Sequence, residues 1–358
     1  MRLNTFVSDA QTPVTRGRQI GEAWGTQIRR TSSLYLELFT RLGLPPSRIQ
    51  ALAGLSFVAL QDWSPALSAE LEATAAASDM PLWHLAAINA RTEILAMGRS
   101  PARGECSTVV YAPPGPRAPQ TLQTWDWHGA LAPEAVVMQL VFPSGRMVKL
   151  FTEFGVLGKI GVNNSGLGVH FNILHHASDN GSGGVPVHAI ARRILDEADT
   201  VEEAIAIASS ARASASSVIT VMSKADRNPR AVSIEISRAG TAVVDKQRNH
   251  WLIHTNHFLD PELGRGEATT DAADTHARFD HLNNATRGMV NLDVRERALA
   301  MRGPASSVSP IWFLPDASKA PFDQWQTLLT VGIDTANCAL DLAVDTPDRM
   351  AGFEFLRF

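Results

Sequence analysis

The 358-residue chain has only two cysteines, Cys106 and Cys338. That is too few for a disulfide framework and compatible with a reducing compartment. Nowhere is there an apolar run of about twenty residues, so no membrane-spanning helix is expected. The start, Met1-Arg2-Leu3-Asn4-Thr5-Phe6, has no apolar core behind a basic head, so a cytoplasmic location is expected. Net charge is −4 with no long run of either sign, and the field of a nucleic-acid binder is missing. The eleven histidines include His175-His176 and His254 with His257, but no His-Glu-x-x-His or Cys-x-x-Cys pattern. Neighbours in a strand point to opposite faces, and no metal site is expected. Gly181-Ser182-Gly183-Gly184 lacks the Gly-Lys-Ser/Thr ending of a phosphate loop and reads as a loop near a pocket mouth. No repeat or low-complexity linker divides the chain.

What is present fits a globular enzyme. With 45% hydrophobic and 19% charged residues, a chain of this length buries roughly three quarters of its unfolded surface. Residues 15 to 100 read largely helical, with apolar spacing near 3.6 in Gly21 to Ile28, Ser33 to Leu42 and Ala66 to Ala77. Beyond Cys106 the pattern changes to short strands: Val136 to Phe142, Met147 to Phe151, Ile160 to Val162, Leu167 to Phe171, Val218 to Met222 and Val232 to Ile236. Helices are expected at Val187 to Glu197, at Val201 to Ala211 with Thr200 as cap and Glu203 three on, and near Asp274 to Asn284 and Val294 to Met301. Late strands follow at Trp325 to Gly332 and Ala339 to Val344. Strand runs on both sides of a helix pair suit two packed sheets with helices outside, an α+β class. Cys338 reads as a strand core residue.

Cys106 is the candidate nucleophile. It stands in Gly104-Glu105-Cys106-Ser107-Thr108, where the helix-rich segment gives way to the β-type stretch Thr108 to Tyr111, and Trp125-Asp126-Trp127 follows about twenty residues later. A cysteine at a new N-terminus carries a nucleophilic thiol and an α-amine of pKa about 8 that accepts the thiol proton. Before any cut, the same thiol can attack the Glu105 carbonyl to give a thioester that water hydrolyses. By itself, a lone cysteine reads more simply as a small buried hydrophobe.

Further segments recur in order: Gln123-Thr124-Trp125-Asp126-Trp127, Gly161-Val162-Asn163-Asn164-Ser165-Gly166-Leu167, Asn172-Ile173-Leu174 and His254-Thr255-Asn256-His257-Phe258-Leu259. With the Cys106 segment they make the chain resemble the acyl-CoA:6-aminopenicillanic acid acyltransferases and their bacterial relatives, autoproteolytic N-terminal-nucleophile (Ntn) hydrolases and acyltransferases of peptidase family C45. The likeness runs from about residue 10 to about 345. It implies a four-layer αββα sandwich with an N-terminal helical pro-segment, residues 1–105, cut from a catalytic segment, residues 106–358, the two together forming one structural domain. It also implies that Cys106 is nucleophile and amine base, that Asp126 positions the amine, and that Asn256 supplies oxyanion stabilisation.

Each role has a plainer counterpart. Asp126 between two tryptophans would be a partly desolvated carboxylate in want of a cationic or hydrogen-bonding partner, or a turn aspartate capping backbone N–H groups. Asn256, after the strand-like Trp251-Leu252-Ile253, suits a fixed amide donor or an ordinary loop asparagine. Asn163-Asn164-Ser165-Gly166 reads as a hairpin turn. Gln123, Trp125, Asn172 and His257 are candidate substrate-binding residues. Gln123 stands where the bile-salt and penicillin V hydrolase cousins carry arginine, which points towards the acyltransferase branch. Glu105 replaces the glycine of the fungal enzymes and bears on the rate of self-cleavage. Ser306, Ser307 and Ser309 resemble a serine position of the acyltransferases without a secure alignment.

The sequence thus predicts a self-processed amidohydrolase of small linear, non-peptide amides that needs no cofactor. Three alternatives stay open: an N-acyltransferase using an acyl-CoA or amide donor, an unprocessed acyl- or peptide-binding protein, and a cysteine–histidine hydrolase using His128 or His257. The expected partners are a small-molecule substrate and the cleaved pro-segment, retained as an α/β heterodimer because its apolar faces (Leu34, Leu36, Leu38, Phe39, Leu42) must stay covered. Assembly of such pairs into a homo-oligomer is left open, and neither nucleic acid nor membrane is expected.

Overall fold

The computed structural model describes residues 1–98, 106–224, 230–245, 248–269, 272–304, 310–344 and 354–358. A first strand, β1 (Arg2–Ser8), leads into five helices: α1 (Pro13–Arg41), α2 (Pro46–Trp63), α3 (Pro65–Ala77), α4 (Leu82–Asn89) and α5 (Arg91–Leu95). Thr12 caps α1, its side chain accepting from the Thr15 N–H at 3.1 Å, and Pro13 occupies the first turn where its missing N–H costs nothing. Helix α1 lies directly on α3 because Gly17 and Gly21 carry no side chain. A Cβ on Gly17 would sit 2.1 Å from the Glu70 carbonyl oxygen, and one on Gly21 2.6 Å from the Ala77 Cβ.

The remainder runs β2 (Ser107–Tyr111), β3 (Gln120–His128), β4 (Glu134–Val141), β5 (Met147–Thr152), β6 (Ile160–Asn163), β7 (Leu167–Ile173), α6 (Val187–Glu197), α7 (Val201–Ser210), β8 (Ser217–Ser223), β9 (Arg230–Ser237), β10 (Gly240–Asp245), β11 (Trp251–His254), α8 (Ala272–Ala285), α9 (Val294–Arg302), β12 (Trp325–Asp334), β13 (Ala339–Val344) and β14 (Leu356–Arg357). The eight-stranded sheet has the order β1-β4-β5-β6-β7-β8-β9-β10, and the six-stranded sheet β11-β2-β3-β12-β13-β14. Only the β1–β4 pairing is parallel among the described strands. The sheets face each other through β2 against β7, β12 and β13 against β6, and β11 against β9. Helices α6 and α7 cover the outer face of the larger sheet; α8 and α9 cover that of the smaller. The architecture is the four-layer αββα sandwich, with α1–α5 added to it.

The core is continuous across that addition: Phe39, Leu60 and Ile88 belong to the same buried cluster as Phe151, Val169 and Ile219. The predicted strands and helices are observed with end shifts of a few residues, and Thr200 and Glu203 form a reciprocal capping box. Asn163-Asn164-Ser165-Gly166 is the expected turn, with Gly166 at φ +84°. Cys338 departs from expectation. It is buried but lies in the turn between β12 and β13 at φ +49°, and no disulfide joins it to Cys106. Among the described residues no helix is long and apolar enough to cross a membrane.

Candidate active site

Cys106 immediately precedes β2 and is buried, at 5% exposure. Its position is fixed from the facing sheet. The Asn172 side chain on β7 donates to the Cys106 carbonyl at 2.8 Å, while its Oδ1 accepts from Thr108 Oγ1 at 2.7 Å and from Gln123 Nε2 at 3.1 Å. Gln123 in turn donates to the Phe171 carbonyl at 2.7 Å and meets His170 Nδ1 at 3.0 Å. Asn172 and Gln123 therefore tie the two sheets together behind the cysteine. Fully buried amides of this kind hold one geometry because every alternative leaves a polar atom unpaired.

A second clamp comes from helix α8. Arg278 is fully buried and donates to the Cys106 carbonyl at 3.1 Å, to Ser107 Oγ at 3.2 Å and to Asn256 Oδ1 at 2.9 Å; its Nε reaches Asp274 at 2.7 Å. Asn256, two residues after β11, donates from Nδ2 to the Ile173 carbonyl at 2.8 Å. Its oxygen is turned to the arginine and its NH2 group away from it.

Asp126 sits inside β3 and is 1% exposed. Between Thr327 and Leu329 the β3–β12 register shifts, a bulge that turns the Thr327 hydroxyl onto Asp126 Oδ1 at 2.5 Å. Asp126 is thus a strand residue aimed into the interior, and the turn-cap alternative fails because β3 continues past it to His128.

Cys106, Asp126, Trp125, Trp127, Phe171, Ile173, Arg91 and Lys159 line one narrow space of about 10 Å³, the room of a single water. Trp127 and Ile173 also border a larger cavity of about 240 Å³. Leu38, Leu42, Leu95 and Trp325 make that cavity apolar, while His128, His175, His176 and Asp179 add polar groups. Helices α1 and α5, upstream of Cys106, supply part of its wall.

Behind the narrow space lies a buried ionic cluster that the sequence reading missed. Arg91 on α5 donates to Tyr35 Oη, to Glu153 and, at 3.1 Å, to His188 Nε2. Tyr35 also donates to Glu153 at 2.5 Å, accepts from Trp127 Nε1 at 2.8 Å, and Lys159 donates to Glu153 at 2.9 Å. Burial works against the Glu153 charge, but Arg91 and Lys159 outweigh it and hold the carboxyl below its usual range. Burial and the Arg91 charge press the Lys159 ammonium down to about 7.

The histidines proposed as alternatives stand apart from the narrow space. His128 borders the larger cavity, with burial lowering its pKa to about 4. His257 packs on His276 and Phe279, bonds Thr275 Oγ1 at 3.0 Å, and is lowered to about 3, chiefly by burial. It borders neither cavity, and of the four substrate-binding candidates only Trp125 does. Glu105 and the serines Ser306, Ser307 and Ser309 lie outside the described residues.

The model of the acyl-coenzyme A:6-aminopenicillanic acid acyl-transferase family matches residues 117–349. The chain belongs to this family. A curated relative, the 40 kDa form of acyl-coenzyme A:6-aminopenicillanic-acid-acyltransferase of Emericella nidulans, is 28% identical over 236 residues, 65% of this chain and 64% of the relative. The chain thus spans about 64% of the length of the acyltransferase it matches. Among solved structures, penicillin V acylase from Agrobacterium tumefaciens is similar at TM-score 0.44 and 15% identity, covering 67% of this chain and 83% of that one. A mutant conjugated bile acid hydrolase from Clostridium perfringens is similar at TM-score 0.44 and 11% identity, covering 70% and 96% respectively.

Proposed function

We propose that the chain is a self-cleaving cysteine amidohydrolase that opens small linear amides through a Cys106 acyl-enzyme. The observation that carries the reading is the narrow space in which Cys106 and Asp126 meet beside the larger apolar cavity. Cleavage of the Glu105–Cys106 bond frees an α-amine on the nucleophile's own residue, and the Asp126 carboxylate, held by Thr327, positions it. The amine takes the thiol proton, sulfur attacks the acyl carbonyl, and the oxyanion is met by the Asn256 amide. The proton passes to the leaving nitrogen, and water then hydrolyses the thioester. The upstream segment stays docked as a small subunit, since its apolar residues belong to the shared core.

An amine in place of water would make the enzyme an N-acyltransferase, the reading that the family's name favours. Supplying an acyl anilide together with a competing amine tests the choice: free acid as the main product supports hydrolysis, and N-acylated amine as the main product assigns the transferase. A chain that neither self-cleaves nor forms a thioester is the binding protein instead.

A further inference from the structure

Resting on the self-cleavage reading, one step has no assigned base. The α-amine that serves the mature enzyme does not exist until the bond before Cys106 is broken, so the first deprotonation of the thiol must use another group.

Among the described residues bordering the narrow space, the titratable or charged side chains are Cys106, Asp126, Arg91 and Lys159. Asp126 accepts from Thr327 and, as a carboxylate, is intrinsically a far weaker base towards a thiol than an amine; Arg91 is bonded to Tyr35, Glu153 and His188. Lys159 is 2% exposed, and its ammonium lies 3.7 Å from the Trp125 ring centre and 2.9 Å from Glu153. The buried cluster and the narrow space around it bring together Arg91 on α5, Tyr35 on α1, Glu153 after β5, His188 on α6, Asp126 on β3 and Cys106 before β2. The Glu153 carboxylate is shared between two cations, Arg91 and Lys159. Arginine does not give up its proton under ordinary conditions, whereas a buried lysine does. Lys159 also interacts electrostatically with Cys106 itself.

We propose that Lys159 is the base that takes the Cys106 thiol proton in the uncut chain and returns it during self-cleavage. Neutral Lys159 accepts the proton from Sγ. The thiolate forms a C–S bond to the Glu105 carbonyl carbon. As the tetrahedral oxyanion collapses, the C–N bond breaks and the Cys106 nitrogen takes the proton back from the Lys159 ammonium. The products are a Glu105 thioester and a free α-amine, and water hydrolyses the thioester without any other co-reactant. The downward displacement of the Lys159 pKa to about 7 supports the assignment, since a useful fraction is neutral near neutral pH.

The test follows self-cleavage of freshly translated full-length chain by intact mass, from about pH 6 to pH 9. For wild type the rate should rise about tenfold per unit below pH 7 and level off above it. Lys159→Met should slow the cut by about 10²-fold or more. Lys159→Arg, which keeps the charge but does not become a neutral base in this pH range, should fail to restore it. A threefold or smaller effect in either variant overturns the inference, and so does a wild-type rate that is flat, or that climbs to pH 9 without levelling. The wild-type profile decides even if both variants misfold. Wild type that stays whole at every pH defeats the self-cleavage reading itself, a different outcome from wild type that cuts without Lys159.

Discussion

Arg278 Nη2 donates to Asn256 Oδ1 at 2.9 Å, and the same guanidinium holds the Cys106 carbonyl at 3.1 Å. One buried cation on α8 therefore orients both the proposed nucleophile and the proposed oxyanion donor. Its planar fork cannot be copied by an ammonium. Arg278→Lys should lower kcat by about tenfold or more on an acyl anilide with KM changed less than threefold, and Asn256→Ala by about 10²–10³-fold. Steady-state kinetics check both. An Arg278→Lys variant with unchanged kcat would remove the positioning role.

The Arg91–Glu153–Lys159 cluster makes stability acid-sensitive. Because the folded-state pKa of Glu153 lies below its unfolded value, the stability it contributes is full above about pH 4.5 and is lost progressively as pH falls below that value towards the lower folded-state pKa. Arg91→Met leaves a buried carboxylate with one cation fewer and should cost about 3–5 kcal/mol at pH 7. Chemical denaturation of wild type, Arg91→Met and Glu153→Gln across pH 3 to 7 would show it, with the slope below about pH 4.5 reduced in Glu153→Gln.

Glu93 on α5 behaves oppositely. Burial raises its pKa to about 8, and although Oε1 accepts from the Val187 N–H at 2.9 Å, Oε2 meets no hydrogen-bond partner among the described residues. Its stabilising contribution is full below about pH 4.5, where the unfolded side chain is also protonated, and is lost as pH rises towards 8. Glu93→Gln mimics the protonated form, so it should stabilise the fold at pH 8 by roughly 1–3 kcal/mol and change little at pH 4. Equal effects at both pH values would contradict the burial argument.

Parts of this architecture were legible in the sequence for identifiable reasons. Helix α6 and the Thr200–Glu203 start of α7 announce themselves by periodicity and capping chemistry, which are local. Strand β1 does not: its partner is Glu134–Val141, more than a hundred residues away, and Arg2 to Ser8 is too mixed to signal burial. Cys338 looks like a strand residue because nothing local marks its left-handed turn conformation. In the site, Cys106, Trp125 and Asp126 meet as the motifs suggest, whereas His257 packs under α8. Arg278 escaped notice because an Asp274–Arg278 pair at i, i+4 looks like a solvated helix face. Lys159 left one trace, a lone charge inside the apolar run Val156 to Val162.

The larger cavity yields a prediction about the upstream segment. Leu38 and Leu42 near the end of α1, and Leu95 at the end of α5, wall the apolar space. Leu95→Trp should raise KM for a long-chain acyl anilide about tenfold or more while leaving self-cleavage intact. An unchanged KM would separate that cavity from the acyl group.

The most direct test of the central claim is the intact mass of purified wild-type protein beside Cys106→Ala. The account predicts two wild-type fragments that divide between Glu105 and Cys106, held together under native conditions, and a Cys106→Ala chain that stays whole at 38.7 kDa. A wild-type chain that also stays whole, or a Cys106→Ala chain cut at the same bond, would contradict it.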